Sequence, residues 1–109
     1  MKRTEGLTSR ELASITNQIK VSVEADRIFL FGSYSRGSTD DFSDIDLCVV
    51  TRSKDRRKLD LMRTIRKNLR KVTSLPLDIL VYYTDEFEER SSNPSTLESS
   101  ILRNGMEIG

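Results

Sequence analysis

The chain has 109 residues, of which 36% are hydrophobic and 32% charged, and its formal net charge is +1. This length predicts a single domain, residues 1–109, with a core of modest size. The near-neutral charge disfavours a protein whose whole surface binds nucleic acid or membrane. The chain has no histidine, which excludes Ser-His-Asp and Cys-His catalysis and histidine-ligated zinc.

The cysteine content and the apolar runs predict a cytoplasmic protein. Cys48 is the single cysteine, so the chain forms no internal disulfide and suits a reducing compartment. Its position in an apolar stretch predicts a buried, inert thiol. No run approaches the roughly 20 apolar residues of a membrane span, and no apolar signal segment follows the N-terminus.

The first half of the chain predicts one helix and two strands. Apolar residues recur at helical spacing within residues 8–24. A short buried strand is expected at 27–31, and the polar residues 33–43 are typical of a loop or of one or two helical turns. A second strand is expected at 44–51, with its side chains alternating between two faces.

The second half of the chain predicts a long helix, a strand and two short helices. The long helix is expected at 54–73, with its basic residues mostly on the outer faces. Its expected core stripe consists of Leu59, Met62, Ile65, Leu69 and Val72. A third strand follows at 77–83, and the short helices are expected to begin at Thr84 and within residues 93–95. The order α-β-β-α-β-α-α predicts an α/β (α+β) fold, a small mixed sheet of three or more strands flanked by helices.

Two aspartates, Asp44 and Asp46, lie two positions apart at the start of the second predicted strand. Side chains at i and i+2 of a strand point to the same side, with their alpha carbons about 6–7 Å apart. Carboxylates this close repel one another unless a cation lies between them. Because hard oxygen ligands of this kind suit Mg²⁺, the pair predicts a magnesium site.

A third aspartate, Asp78, lies in the otherwise apolar third strand, where an unpartnered charge is costly to bury. If the third strand lies beside the second, Asp78 faces the same pocket as Asp44 and Asp46. Three carboxylates could then hold two metal ions. Taken singly, these aspartates could also belong to a solvated strand edge, and it is their joint occurrence that favours a site.

The Gly32-Ser33 turn supplies the complementary part of a phosphate site. Glycine at a strand end lets the backbone approach a ligand closely, and backbone N–H groups at a following helix start attract phosphate. Ser33 adds a hydroxyl and Arg36 a cation. The loop is one residue short of a Walker A motif and has Ser38 where that motif has lysine, which disfavours a P-loop NTPase. Although such a turn alone is most often only a turn, with the three carboxylates it favours phosphoryl or nucleotidyl transfer.

At these residues the chain resembles the minimal nucleotidyltransferases of the polymerase-beta-like superfamily. The signature of that family is Gly-Ser, ten residues and Asp-x-Asp, present here as Gly32, Ser33, Asp44 and Asp46. The flanking Phe-Gly-Ser-x-x-Arg-Gly and Ser-Asp-x-Asp-Leu patterns are present at residues 31–37 and 43–47. Asp78 matches the third carboxylate of the family, and the resemblance spans nearly the whole chain.

The resemblance implies roles for the three carboxylates. Asp44 and Asp46 would bind the Mg²⁺ that holds a nucleoside triphosphate. Asp78 would complete the catalytic metal site and help to deprotonate the attacking hydroxyl. The implied reaction is in-line attack on the α-phosphate, with pyrophosphate leaving and two metal ions assisting.

The resemblance also implies roles on the phosphate side of the site. Gly32 and Ser33 would contact the β- and γ-phosphates. Arg36 would either touch the nucleotide or pair with an acid of the loop such as Asp40.

Free-standing domains of this length resemble the antitoxin half of two-gene toxin–antitoxin modules. The implied partner is a helical ribonuclease toxin of the HEPN class. The implied activity is transfer of AMP from ATP to a tyrosine of that toxin, which disables it. The two proteins could form a hetero-oligomer, and no direct contact with nucleic acid or membrane is expected.

Two alternatives remain open. The domain could neutralise its partner by masking it, through the basic helix at 54–71 or the acidic stretch at 85–90, with catalysis secondary. It could instead transfer a nucleotide to a small molecule, as antibiotic-modifying relatives do. Modification of its own Tyr34, Tyr82 or Tyr83 is conceivable as a side reaction.

Overall fold

The computed structural model of the chain describes residues 9–31, 45–74 and 76–109. Within these ranges the elements are α1 Ser9–Ser22, β1 Ala25–Phe31, β2 Ile45–Thr51, α2 Lys58–Leu69, β3 Leu77–Tyr83, α3 Thr84–Ser91, α4 Leu97–Asn104 and β4 Met106–Glu107. The strands form one sheet in the order β3-β2-β1-β4. The predicted mixed α/β fold is confirmed, and none of the helices in these ranges is long and apolar enough to cross a membrane.

The sheet combines one parallel and two antiparallel pairs. β2 and β3 are parallel, whereas β1 is antiparallel to both β2 and β4. A parallel pair needs a crossover connection, and α2 provides it between β2 and β3.

The sequence did not predict β4, because a two-residue strand has no alternation to detect. Arg27 of β1 holds this edge strand by donating two hydrogen bonds, of 3.0 and 2.9 Å, to the carboxylate of Glu107.

Helices cover both faces of the sheet. On the first face, α1 and α2 pack on the strands around a core that includes Ile15, Ile19, Ile28, Leu47, Val49, Leu61, Ile65 and Leu69. On the second face, α3 and α4 contribute Phe87 and Ile101 to a smaller core with Phe29, Cys48 and Val50. Alternate residues of β2 therefore belong to different cores, as its predicted alternation requires.

The structure corrects the bounds and the buried stripe of the long helix. The helix comprises Lys58–Leu69 rather than residues 54–73. Leu59 was expected in the core but is 62% exposed, whereas Leu61 is fully buried. Two leucines two positions apart cannot both face the core of one helix, and only Leu61 keeps the i, i+4, i+8 spacing with Ile65 and Leu69. Met62 and Val72 are half-buried against this core.

The two C-terminal helices begin at polar caps. α3 begins at Thr84 as predicted, and the Glu86 carboxylate accepts a hydrogen bond of 3.3 Å from the backbone N–H of Tyr83. α4 begins at Leu97, later than the predicted 93–95, because Thr96 is its N-cap and accepts a hydrogen bond of 3.1 Å from the Ser99 N–H.

The two leucines of α2 provide a matched test of the helix register. We expect Leu61→Ala to lower the free energy of unfolding by about 2–5 kcal/mol, because it removes a fully buried side chain and leaves a cavity. Leu59→Ala on the exposed face should change the free energy of unfolding by about 0.5 kcal/mol or less. Urea denaturation followed by circular dichroism measures both values, and equal losses would contradict the register.

Candidate active site

The candidate carboxylates lie at the end of the sheet where β1 ends and β2 and β3 begin. Asp46 and Asp78 are directly opposite one another in the parallel β2–β3 pair, and Phe31 is opposite Asp46 in the β1–β2 pair. Neighbouring strands lie about 4.8 Å apart, and residues in register extend from the same face of the sheet. The expected adjacency of the second and third strands is confirmed, and it brings Asp46 and Asp78 together.

The residues that follow each aspartate identify the face that the pair occupies. Cys48 lies two positions after Asp46, and Leu80 lies two positions after Asp78. Both side chains contact the smaller core around Phe87. Because alternate residues of a strand share a face, the aspartates extend toward the α3–α4 side of the sheet.

A backbone contact fixes the register of the two strand starts. The N–H of Ile45 donates a hydrogen bond of 2.8 Å to the carbonyl oxygen of Pro76. Pro76 lies just before β3, a position where the missing N–H of proline costs no ladder bond. Ile45 is opposite Leu77 in the next step of the ladder, so the two aspartates come into register one residue further on.

Both carboxylates have some access to solvent. The Asp46 side chain is partly buried and the Asp78 side chain is exposed. Within residues 9–31, 45–74 and 76–109, the Asp78 carboxylate forms no ion pair. A bound cation is one way to offset the repulsion between neighbouring carboxylates, and oxygen donors of this kind suit Mg²⁺.

The other predicted site residues lie outside the described part of the chain. These are Gly32, Ser33, Arg36 and Asp44. The connection that contains them leaves β1 at Phe31 and enters β2 at Ile45, and both residues lie at the end of the sheet that carries the aspartates. Among the residues that the structure describes, no group of three His, Cys, Asp or Glu side chains could hold a metal ion. The described residues therefore provide two of the three predicted carboxylates.

A partly buried hydrogen bond lies further along the same face of β3. The Tyr82 hydroxyl donates to Glu98 Oε2 at 2.5 Å, and Glu98 of α4 is only 7% exposed. This hydrogen bond lowers the pKa of Glu98, although burial opposes it. Burial and the same hydrogen bond raise the pKa of Tyr82. Since its hydroxyl is occupied by Glu98, Tyr82 is a poor acceptor for modification of the chain by itself.

Glu98 was not among the residues predicted from the sequence, whereas Cys48 was predicted as a buried thiol. Glu98 follows Leu97 in the apolar pattern of α4, and a carboxylate within such a pattern could have indicated a buried acid with a hydrogen-bond partner. Cys48 is fully buried, and burial raises the pKa of its thiol to about 12. The predicted buried thiol is confirmed, and it stays protonated at neutral pH.

Comparisons with known proteins bear on the family and the fold of the chain. The family model of the nucleotidyltransferase domain matches residues 10–104. A protein of Methanocaldococcus jannaschii, named as a putative protein adenylyltransferase, is 41% identical over 39 residues, which are 36% of this chain and 26% of that protein. The match thus spans about a quarter of that relative. A crystal structure of a putative nucleotidyltransferase from Sulfolobus solfataricus covers 81% of this chain and 82% of its own, with a TM-score of 0.55 and 24% identity, a likeness of fold.

The Tyr82–Glu98 hydrogen bond gives the stability of the protein a specific pH dependence. The pKa of Glu98 is lower in the folded chain than in the unfolded chain, where it is about 4.3. The stabilisation is therefore present above that unfolded value and is lost as the pH falls through the folded one. We expect Tyr82→Phe to lower the free energy of unfolding at neutral pH by about 1.5–3 kcal/mol, and we expect this loss to shrink as the pH falls through the lowered pKa of Glu98.

Tyr83→Phe is the matched control for this measurement. The Tyr83 hydroxyl donates a hydrogen bond of 2.6 Å to the carbonyl oxygen of Arg56, which does not titrate. Its removal should cost about 0.5–1.5 kcal/mol at every pH. Denaturation of both variants across the acidic range separates the two cases, and a pH-independent loss in Tyr82→Phe would show that Glu98 is not the titrating partner.

Proposed function

Because this chain belongs to the nucleotidyltransferase domain family, we propose that it transfers AMP from ATP to a tyrosine of a partner protein. The partner is a HEPN-class ribonuclease toxin, which the modification neutralises, so that the chain acts as the antitoxin. The main support for this proposal is that Asp46 lies opposite Asp78 in the β2–β3 pair. An aspartate of the family signature is thereby next to a carboxylate of a different strand.

The donor set fits a hard divalent cation. Asp44, Asp46 and Asp78 would hold Mg²⁺, with two ions in the complete site. A softer metal ion that prefers nitrogen or sulfur ligands fits poorly, because the chain has no histidine and Cys48 is buried with a raised pKa. When bound, the ions would neutralise charge on the triphosphate and polarise its α-phosphate.

The side chains of the chain itself would orient the reactants and accept a proton. Asp46, partly buried at a strand start, provides a fixed carboxylate, and the exposed Asp78 accepts the proton of the attacking tyrosine hydroxyl. The tyrosine oxygen bonds to the α-phosphorus while the bond to the bridging oxygen breaks and pyrophosphate leaves. Gly32 and Ser33 contact the β- and γ-phosphates, and Arg36 contacts the nucleotide.

The choice of acceptor is supported by two likenesses. The M. jannaschii relative is named for adenylyl transfer to protein, although the match is limited to 39 residues. The Gly-Ser, Asp-x-Asp signature resembles that of antitoxins paired with HEPN toxins, which supports a hetero-oligomer of the two proteins. The buried, protonated Cys48 suits a reducing cytoplasm, where such a pair would act.

Removal of single carboxylates tests the catalytic assignment. We expect Asp46→Asn and Asp78→Asn each to lower AMP transfer by about a hundredfold or more, because each removes charge that holds the reacting phosphate. Asp44→Asn should behave in the same way. Transfer is measured with ATP labelled at the α-phosphate, and circular dichroism checks that the fold is intact.

Asp55→Asn is the control for this series. Asp55 is an exposed carboxylate in the connection between β2 and α2, at the opposite end of β2 from Asp46, so its removal should leave transfer unchanged. If the double variant Asp44→Asn, Asp46→Asn labels its acceptor as well as the wild type does, the carboxylates are not catalytic.

The identity of the acceptor is tested with the toxin itself. We expect a HEPN-domain protein encoded in the adjacent reading frame to gain the mass of one AMP on a tyrosine after incubation with the chain, ATP and Mg²⁺. Its ribonuclease activity should fall in parallel with the modification. Intact-mass and peptide mass spectrometry measure the first effect, and RNA cleavage measures the second. Equal neutralisation by the Asp44→Asn, Asp46→Asn variant would identify masking, not transfer, as the mechanism.

A further inference from the structure

One outer face of α2 concentrates positive charge. Arg63, Arg66, Lys67 and Arg70 are all exposed, and their spacing of three and four residues places them on one side of the helix. We call these four residues the cationic face. Like charges at such spacing repel one another, and this repulsion favours an anionic ligand.

The charge of the cationic face is largely uncompensated by the described residues. Arg63 and Asp60 form a weak, exposed ion pair, with 3.9 Å between Arg63 Nη1 and Asp60 Oδ1. Arg66, Lys67 and Arg70 form no ion pair within residues 9–31, 45–74 and 76–109. Other basic side chains of the chain form ion pairs with carboxylates: Arg27 with Glu107, Arg52 with Asp26, Lys54 with Asp85 and Lys58 with Glu86.

Two open cavities adjoin the cationic face. The larger cavity, of about 540 Å³, is lined by Arg66, Arg70, Thr73, Ser74, Pro76 and Leu77. The smaller cavity, of about 220 Å³, is lined by the four residues of the cationic face. Arg66 and Arg70 belong to both cavities, so one bound segment can contact both. Guanidinium groups bind carboxylates with paired hydrogen bonds, which makes an acidic side chain a suitable occupant.

The larger cavity reaches the start of β3, next to the candidate active site. It is lined by Leu77, and Asp78 is the following residue. Side chains of adjacent strand residues point to opposite faces, so a ligand on the cationic face approaches Asp78 around the end of the strand. A helix is about 10–12 Å across, and an extended chain covers about 3.3–3.6 Å per residue. A docked acidic residue would therefore lie about three to four positions from a tyrosine at the aspartates.

We propose that the cationic face docks an acidic segment of the protein acceptor and thereby positions its tyrosine at Asp46 and Asp78. This inference rests on the proposed transfer of AMP to a protein. A nucleic acid is a weaker candidate, because the chain has a pI of about 7.8 and no aromatic side chain lines either cavity for base stacking. The attraction is mainly electrostatic, so it should weaken as salt is added.

Two matched peptides test the docking directly. One carries glutamates at the third and fourth positions on both sides of a central tyrosine, and the other has glutamines there. Fluorescence anisotropy measures the affinity of the dye-labelled peptides for the full chain. We expect the glutamate peptide to bind about tenfold more tightly at low salt, and we expect this preference to shrink as salt is added.

Two double variants with the same change in net charge show which surface causes the preference for the glutamate peptide. Arg66→Glu with Arg70→Glu should remove the preference for the glutamate peptide. Lys20→Glu with Arg57→Glu changes exposed cations outside the cationic face and should keep it. A preference that survives in the first variant, or that is lost equally in both, overturns the proposal. Tighter binding of a single-stranded RNA of the same length than of the glutamate peptide would also overturn it.

A transfer assay on the same peptides separates docking from catalysis. With labelled ATP and Mg²⁺, we expect the wild type to modify the glutamate peptide faster, and Arg66→Glu with Arg70→Glu to reduce that rate to the rate of the glutamine peptide. Equal modification of both peptides by the wild type contradicts docking and leaves transfer intact. Preferential binding with no modification of either peptide contradicts transfer to tyrosine and leaves the docking surface intact.

Discussion

The parallel pairing of β2 with β3 is the constraint on which the rest of the structure depends. It places Asp46 opposite Asp78, and the hydrogen bond from the Ile45 N–H to the Pro76 carbonyl oxygen fixes that register at the strand starts. A parallel pair cannot be closed by a hairpin, so the chain needs α2 as a crossover. With α2 on one face and α3 on the other, the central part of β2 is buried on both sides and must be apolar.

This burial explains why the acidic residues lie at the end of the strands. A carboxylate in the middle of β2 would lose its hydration between two apolar cores, at a large cost in free energy. At the strand starts, Asp46 remains partly accessible and Asp78 exposed, so both carboxylates keep part of their hydration and are less costly to hold charged. Glu98, a buried carboxylate on this face, instead receives a hydrogen bond from Tyr82. The two cores thus hold the strands in place and restrict charged side chains to the ends of the strands.

The sequence predicted the features that depend on local pattern. Alternation and β-branched residues located β2 and β3, and an aspartate in an apolar strand singled out Asp78. Leu59 was wrongly predicted to face the core, because its spacing with Met62 also fits a helical stripe and only the packing of α2 on the sheet selects Leu61. β4 was too short to detect, and the partner of Glu98 comes from another element. Strand order, and with it the closeness of Asp46 to Asp78, could only be assumed, because pairing between strands leaves no local signal.

The crossover also links the cationic face to the candidate active site. The inner side of α2 is anchored by Leu61, Ile65 and Leu69, each fully buried in the first core. Its outer side carries the cationic face, and only the short connection at 70–76 separates the end of the helix from β3. A helix held by three buried residues cannot shift along the sheet without breaking that packing. The distance between the cationic face and Asp78 is therefore set by the core, and a partner docked on α2 would meet the two aspartates at a fixed spacing.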